Sequence, residues 1–307
     1  MKTLRALAIF LLAFIISISY SFGQYKKVNS NGLDVYYRVL GEGEPILIIG
    51  GGPGDVSDRY LSLCELLSKN FKCILVDQRG TGKSSPTIFD STTITVDLTL
   101  CDFEAIRNQL GFKQWNVLGF SYGGFIASVY SNKYIASVSR LVTLNSMGVD
   151  FSTFKYFNDN ITSRLHPGDI ELLKYWSDSS RVALDPKHAL VETIRAKIPG
   201  YFFDRKKALL VSQNMKDSDF NFEMGRWIWK DIEKNYLNLS NTMSNFDKPV
   251  LVLQGRQDPL GELNAKNLSN YYKNSKLLFI ERCGHYSWVE QPEKVMSAIN
   301  EFITNTK

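Results

Sequence analysis

The feature that most constrains this chain is a series of short, charge-free apolar runs separated by helix-length segments. The runs fall at residues 45–49, 73–76, 115–118, 141–144, 250–253 and 277–280. Hydrophobicity that is continuous rather than alternating belongs to strands covered on both faces, as in a parallel sheet. Between most of the runs lie segments of helical length, at about 57–69, 96–110, 122–134 and 261–273. Strand, helix and strand in repetition predict an open α/β sheet. Upstream, residues 25–28 and 33–39 flank Asn29-Ser30-Asn31-Gly32, whose Asn-Gly pair is the strongest short-range signal for a tight hairpin. Residues 292–303 open on proline and carry Val295, Met296, Ile299 and Phe302 at helical spacing, which predicts a closing helix.

One interval breaks this rhythm. Residues 146–247 contain no strand-like run but are dense in aromatics: Phe151, Phe154, Tyr156, Phe157, Tyr175, Trp176, Tyr201, Phe202, Phe203, Phe220, Phe222, Trp227, Trp229 and Tyr236. A connection of about 100 residues is far longer than an ordinary loop. It reads as a helical insertion over the sheet, with part of its aromatic content forming its own small core. A 44% hydrophobic and 22% charged composition supports a sizeable core and excludes a disordered acidic or basic chain.

The chemistry concentrates at Gly119-Phe120-Ser121-Tyr122-Gly123-Gly124, which follows the apolar run at 115–118 and precedes an Ala/Ser/Tyr-rich helix. G-x-S-x-G in that setting is a nucleophile elbow: a strand turns sharply into a helix and pushes the serine hydroxyl out above the sheet. A serine hydroxyl needs a base to take its proton, and the base needs a third group to orient it. The chain has three histidines. His166 and His188 lie in turn-like contexts within the insertion, whereas His285 follows the last strand-like run through Glu281-Arg282-Cys283-Gly284. Catalytic groups gather at such C-terminal strand ends in open α/β sheets. The expected acid is Asp258, one strand earlier, after Gln254-Gly255-Arg256-Gln257; Glu262 and Glu281 are the weaker candidates.

Acyl transfer also requires donors for the oxyanion. Ile49-Gly50-Gly51-Gly52-Pro53-Gly54 follows the first central strand, and its glycines let backbone N–H groups approach a ligand. The expected oxyanion donors are the N–H groups of Gly52 and Tyr122, with Gly51 in reserve. A phosphate-binding loop is excluded because no G-K-[ST] follows that stretch at the required spacing, and Gly80-Thr81-Gly82-Lys83-Ser84 lacks the upstream glycine. G-x-G-x-x-G is absent from the strand–helix turns, which excludes dinucleotide binding. No cofactor and no metal site is expected. The cysteines Cys64, Cys73, Cys101 and Cys283 form no C-x-x-C pair. No basic cluster interleaves with aromatics, so nucleic acid is not an expected partner.

The N-terminus reads separately. Lys2 and Arg5 precede 11 apolar residues at 6–16 and then a small polar stretch ending at Gly23 and Gln24. The apolar run is too short for a bilayer span, which needs about 20 residues, and the pattern fits a secretory signal peptide. The alternative is a retained N-terminal membrane anchor. The expected organisation is a signal peptide at 1–23, an α/β core at 24–145 and 248–307, and a helical cap at 146–247. The product would be an exported protein, periplasmic or secreted, with no membrane contact beyond the signal segment, acting as a monomer or small homo-oligomer.

Five motifs in order carry a family resemblance: Gly51-Gly52-Pro53-Gly54, Asp77-Gln78-Arg79-Gly80-Thr81-Gly82-Lys83-Ser84, the Ser121 elbow, Gly255-Arg256-Gln257-Asp258-Pro259 and Gly284-His285. From about residue 25 to 302 the chain resembles the α/β-hydrolase superfamily, and the first two motifs most resemble its proline iminopeptidase branch. The resemblance implies an α/β-hydrolase fold, a mostly parallel sheet flanked by helices with a helical cap. It also implies that Asp77 and Arg79 brace loops rather than take part in chemistry. Two departures stand out: Gly50 replaces the histidine of the usual HGGPG, and Phe120 and Tyr122 stand where GGSWG is common. Iminopeptidases hold the substrate amine with cap glutamates, and Glu223 is the candidate here, with Trp227 as a neighbouring substrate contact. Epoxide hydrolases and dehalogenases are disfavoured because their elbow nucleophile is Asp.

The function expected from these residues is an exported serine hydrolase cleaving an ester or amide bond of a small molecule or short peptide through an acyl-enzyme. An aminopeptidase of proline iminopeptidase type is one form of it. A carboxylesterase or lipase-like hydrolase of small apolar esters is the alternative, and a non-catalytic ligand-binding protein on the same scaffold is a more distant one.

Overall fold

A computed structural model describes residues 23–237 and 239–305. The proposed signal segment thus lies outside the described residues except for Gly23.

Eight strands form one sheet: β1 (Tyr25–Ser30), β2 (Leu33–Leu40), β3 (Pro45–Ile49), β4 (Lys72–Val76), β5 (Trp115–Phe120), β6 (Val138–Leu144), β7 (Val250–Gly255) and β8 (Ser275–Ile280). Their spatial order is β1-β2-β4-β3-β5-β6-β7-β8. The β1–β2 and β2–β4 pairs are antiparallel and every later pair is parallel. The expected hairpin closes β1 onto β2 with Ser30 opposite Leu33. Asn31 and Gly32 take φ of 50° and 79°, the left-handed pair that a two-residue turn of matching twist requires.

The flanking helices are α1 (Leu61–Leu67), α2 (Val96–Gln109) and α3 (Tyr122–Lys133), and, after β7, α10 (Glu262–Tyr271), α11 (Ser287–Glu290) and α12 (Pro292–Thr304). Between β6 and β7 lie α4 (Phe157–Thr162), α5 (Pro167–Trp176), α6 (Ser179–Leu184), α7 (Pro186–Lys197), α8 (Arg205–Gln213) and α9 (Phe222–Asn235).

The charge-free runs bury both faces of the sheet. In β3, Leu47 and Ile49 join one cluster with Val117, Phe125, Ile126 and Leu268, so α3 and α10 cover that face. Ile46 and Ile48 join the opposite cluster with Leu63, Leu67, Val295 and Ile299, which α1 and α12 supply. Each fully buried Leu or Ile contributes about 1.5–3 kcal/mol relative to exposure. β8 is only half-buried because it is an edge strand.

The segment between β6 and β7 has a core of its own, built on Val191, Ile198, Phe202, Ala208, Met215 and Phe220. Its last helix is shared: Met224, Ile228 and Ile232 of α9 are fully buried in the main core. One pairing outside the sheet, an antiparallel bridge between Asp55 and Phe220, ties this segment to the loop after β3. The start of the helix expected at 57–69 differs. Residues Ser57–Tyr60 form a 3-10 turn that no side chain caps, because its N-cap residue is Val56, and the Ser57 hydroxyl within it donates to Asp77 Oδ1 at 2.5 Å.

Candidate active site

Ser121 occupies the junction of β5 and α3 with φ 55° and ψ −119°, a conformation that non-glycine residues adopt only when the surroundings impose it. Here they do. Ser121 N–H donates to Leu144 O at 3.1 Å, and Ser121 O accepts from Gly124 N at 2.9 Å and Met147 N at 3.1 Å. The flanking glycines are steric necessities: a Cβ on Gly119 would collide with Gly123 O, and one on Gly123 with Ile49 O. The N-terminus of α3, with its positive dipole end, therefore lies directly behind the hydroxyl.

His285 and Asp258 form a buried pair, with Nδ1 of the ring 2.8 Å from Asp258 Oδ2 and side chains 4% and 0% exposed. Asp258 follows β7 and His285 follows β8, so the parallel sheet brings both to the strand ends near the elbow. Asn145 Nδ2 donates to the same Asp258 Oδ2 at 2.7 Å, and Leu260 N–H donates to Oδ1 at 2.9 Å. These donors fix the orientation of the carboxylate that faces the ring. The Asp258 side chain is an aspartate turn rather than a helix cap, because Gly261 stands at the N-cap of α10. The loop carrying the histidine is pinned: His285 N–H donates to Tyr201 O at 2.7 Å and Gly284 N–H to Glu290 Oε2 at 2.6 Å. Nε2 of His285 has no hydrogen-bond partner among the described residues, and the ring packs against Phe120 with centroids 4.7 Å apart.

Ser121 and His285 open into one cavity of about 440 Å³. Its walls are largely aromatic, with Phe154, Phe157, Phe220, Phe222 and Trp229 coming from the segment between β6 and β7. Gly52 lines the same cavity at φ 108°, where a Cβ would come within 2.8 Å of Gly54 N and 2.9 Å of Asp55 N. Tyr122 is the first residue of α3, immediately after Ser121; its side chain points into the core, where burial raises the phenol pKa.

Other sequence candidates fall elsewhere. Glu223 is absent from the cavity lining, is half-exposed at 52%, and pairs with Arg226 across 3.5 Å. On α9 the cavity-facing positions are Phe222, Gly225, Arg226 and Trp229, while Met224 and Ile228 face the main core, which leaves Glu223 turned outward. Trp227 also misses the cavity and lies beneath Lys230, 4.4 Å from its ring centroid, while Trp229 two residues on reaches the lining. Glu262 and Glu281 both bind Arg256 at the surface, and His188 faces Asp217. Asp77 accepts from Ser57 and from Lys83 N, and Arg79 forms a bidentate pair with Asp102, so both brace the loops around the site. Among the described residues no group of three or more His, Cys, Asp or Glu side chains is placed to hold a metal ion.

Three contributors escaped the sequence reading. Asn145 stood in plain view as the first residue after β6, at the same strand-end level as Ser121 and Asp258. Asp55 follows the glycine loop directly and lines the cavity. Glu290 carried no local signal, since its partners at Phe203 and Asp204 come from a distant segment.

This arrangement coincides with a known family. The sequence model of the alpha/beta hydrolase fold matches residues 44–292. The chain belongs to the alpha/beta hydrolase fold family, and its relatives include proline iminopeptidases. The proline iminopeptidase of Lactobacillus helveticus is 24% identical over 292 residues, covering 89% of this chain and 95% of its own length. The human monoacylglycerol lipase ABHD6 is 22% identical over 263 residues, covering 85% of this chain and 76% of its own. Among solved structures, an alpha/beta fold family hydrolase from Bacillus anthracis superposes with a TM-score of 0.70 at 18% identity, covering 91% of this chain and 99% of that one. A thermophilic esterase from Thermogutta terrifontis gives a TM-score of 0.69 at 20% identity, with 91% and 98% covered. At these identities the structural likeness concerns the fold.

Proposed function

We propose that the chain is a serine hydrolase that cleaves an ester or amide bond through an acyl-enzyme. The observation that carries this reading is the convergence of a strained Ser121 and the His285–Asp258 pair on one cavity. Ser121 Oγ attacks the substrate carbonyl carbon while His285 Nε2 takes the hydroxyl proton. Asp258 holds Nδ1 protonated and stabilises the imidazolium. His285 then protonates the leaving amine or alkoxide, and water repeats the sequence to release the acid. The N–H groups of Gly52 and Tyr122 receive the oxyanion, aided by the α3 dipole.

Within this class we favour an aminopeptidase of proline iminopeptidase type, which the glycine-loop motif and the iminopeptidase relatives support. The aromatic, apolar walls of the cavity favour a second reading, a carboxylesterase of small apolar esters. Residues 146–247 would act as the cap that selects between substrates. Turnover of prolyl-arylamide against short and long nitrophenyl esters by the purified protein separates the two readings. Export through residues 1–23 belongs to the same proposal; N-terminal sequencing of protein from the culture medium or periplasm tests it, and a retained Met1 would contradict it.

A further inference from the structure

The cavity contains a carboxylate that the acyl-transfer machinery does not use. Asp55 sits one residue past the glycine loop, its side chain 11% exposed, and it lines the cavity together with Gly52 and Ser121. Its two oxygens are in different situations. Oδ2 accepts from Arg59 Nε at 2.9 Å and from the Tyr60 hydroxyl at 2.7 Å. Oδ1 accepts from no described residue and lies beside Gly52, 3.3 Å from where a Cβ on that glycine would stand.

Arg59 engages only the Oδ2 side of this carboxylate. Its Nη2 donates to the Tyr286 hydroxyl at 3.3 Å, its Nη1 lies 3.9 Å from Asp219 Oδ2, and its Cζ lies 4.5 Å from the Phe220 ring centroid. Two carboxylates therefore share one cation. The cavity's other arginine, Arg226, is 60% exposed at the rim and faces Glu223. Asp55 is the one carboxylate among the described residues that line the cavity, and a largely buried carboxylate oxygen without a donor favours a ligand group that brings N–H donors and positive charge.

The location narrows the ligand further. In an aminoacyl group the α-nitrogen is two bonds from the carbonyl carbon, so a group that binds it must lie close to the oxyanion donors. Asp55 Oδ1 lies against Gly52, whose N–H is the proposed oxyanion donor, and the residue lines the same cavity as Ser121. We propose that Asp55 is a substrate-binding residue whose Oδ1 takes the charged amino group of an aminoacyl substrate. The site selects acyl groups bearing an α-ammonium and disfavours N-acylated ones, whose nitrogen carries no charge. This inference rests on the serine-hydrolase reading above.

The test compares prolyl-4-nitroanilide with cyclopentanecarbonyl-4-nitroanilide, which replaces the ring nitrogen by carbon, and with N-acetylprolyl-4-nitroanilide. The wild-type chain should prefer the free amine to both by roughly 10- to 100-fold in kcat/KM, the effect of one charge-assisted hydrogen bond. Asp55→Asn should shrink that preference by a similar factor, mainly through KM, and Asp55→Glu should restore part of it. Because the readout is a ratio on one protein, general damage to the fold does not move it. A wild-type enzyme indifferent to the amine, or an Asp55→Asn variant with the preference intact, overturns the inference. Wild-type protein that neither reacts with a fluorophosphonate nor hydrolyses any anilide or nitrophenyl ester would instead overturn the serine-hydrolase reading.

Discussion

Asn145 Nδ2 donates to Asp258 Oδ2 at 2.7 Å, the same carboxylate oxygen that lies 2.8 Å from His285 Nδ1. The second amide hydrogen reaches Gly284 O at 3.2 Å, so one side chain ties the acid to the loop that carries the histidine. Its φ of 48° is a conformation asparagine tolerates better than most residues. Asn145→Ala should lower kcat roughly 10- to 100-fold, as expected from about 1–3 kcal/mol of lost hydrogen bonding to a buried charge. Asn145→Asp should do worse at neutral pH, because two facing carboxylates cannot both ionise cheaply. Steady-state rates of the two variants on one nitrophenyl ester check both expectations.

Glu290 couples the histidine loop to the segment between β6 and β7. Its Oε1 accepts from Phe203 N at 3.0 Å and Asp204 N at 2.7 Å, and its Oε2 from Gly284 N at 2.6 Å. Burial pushes this carboxyl up, and the backbone donors oppose that shift. Glu290→Ala leaves the buried Gly284 N–H and the part-buried N–H groups of Phe203 and Asp204 without their acceptor and should cost about 2 kcal/mol of stability. Urea denaturation should show the loss, and kcat should fall with it as Gly284 and His285 relax.

How far the chain could be read from its residues follows from where each signal is stored. The continuous runs announced doubly covered strands because each must bury both faces, as the Ile46/Ile48 and Leu47/Ile49 split in β3 illustrates. The elbow was legible because its glycines obey local sterics. That Glu223 and Trp227 fall outside the cavity lining was not legible, because which side of a helix faces a cavity depends on how that helix docks, and α9 docks through Met224, Ile228 and Ile232. Glu290 was invisible because its three partners are assembled only by the folded chain.

Arg79 and Asp102 form an almost completely buried bidentate pair, with bonds of 2.9 and 2.6 Å and side chains 3% and 1% exposed. Desolvation raises the Asp102 pKa even with the guanidinium beside it. Arg79→Met should destabilise the protein by about 3–5 kcal/mol, because it strands a buried carboxylate. The double variant Arg79→Met/Asp102→Leu should recover much of that loss. Paired urea denaturation curves decide it, and a double variant as unstable as the single would count against this account.

The helices between β6 and β7 carry an acid-sensitive tie. Arg205 donates to both oxygens of Asp169, at 2.6 and 2.8 Å, and these bonds hold the carboxyl below its usual range. A carboxylate with a depressed folded pKa adds stability above its unfolded pKa, about 4, and that contribution is lost as pH falls through the lower folded value. Asp169→Asn should therefore lower the Tm at pH 7, and the gap from wild type should close as pH drops below about 4. Thermal melts across that range provide the check, and a gap independent of pH would contradict the sign.

Labelling by a fluorophosphonate reports directly on whether Ser121 is the nucleophile. The purified chain should gain one covalent adduct, carried by the peptide that contains Ser121, and Ser121→Ala should remain unlabelled while retaining the wild-type circular dichroism spectrum. Undiminished labelling of the Ser121→Ala protein would contradict the account.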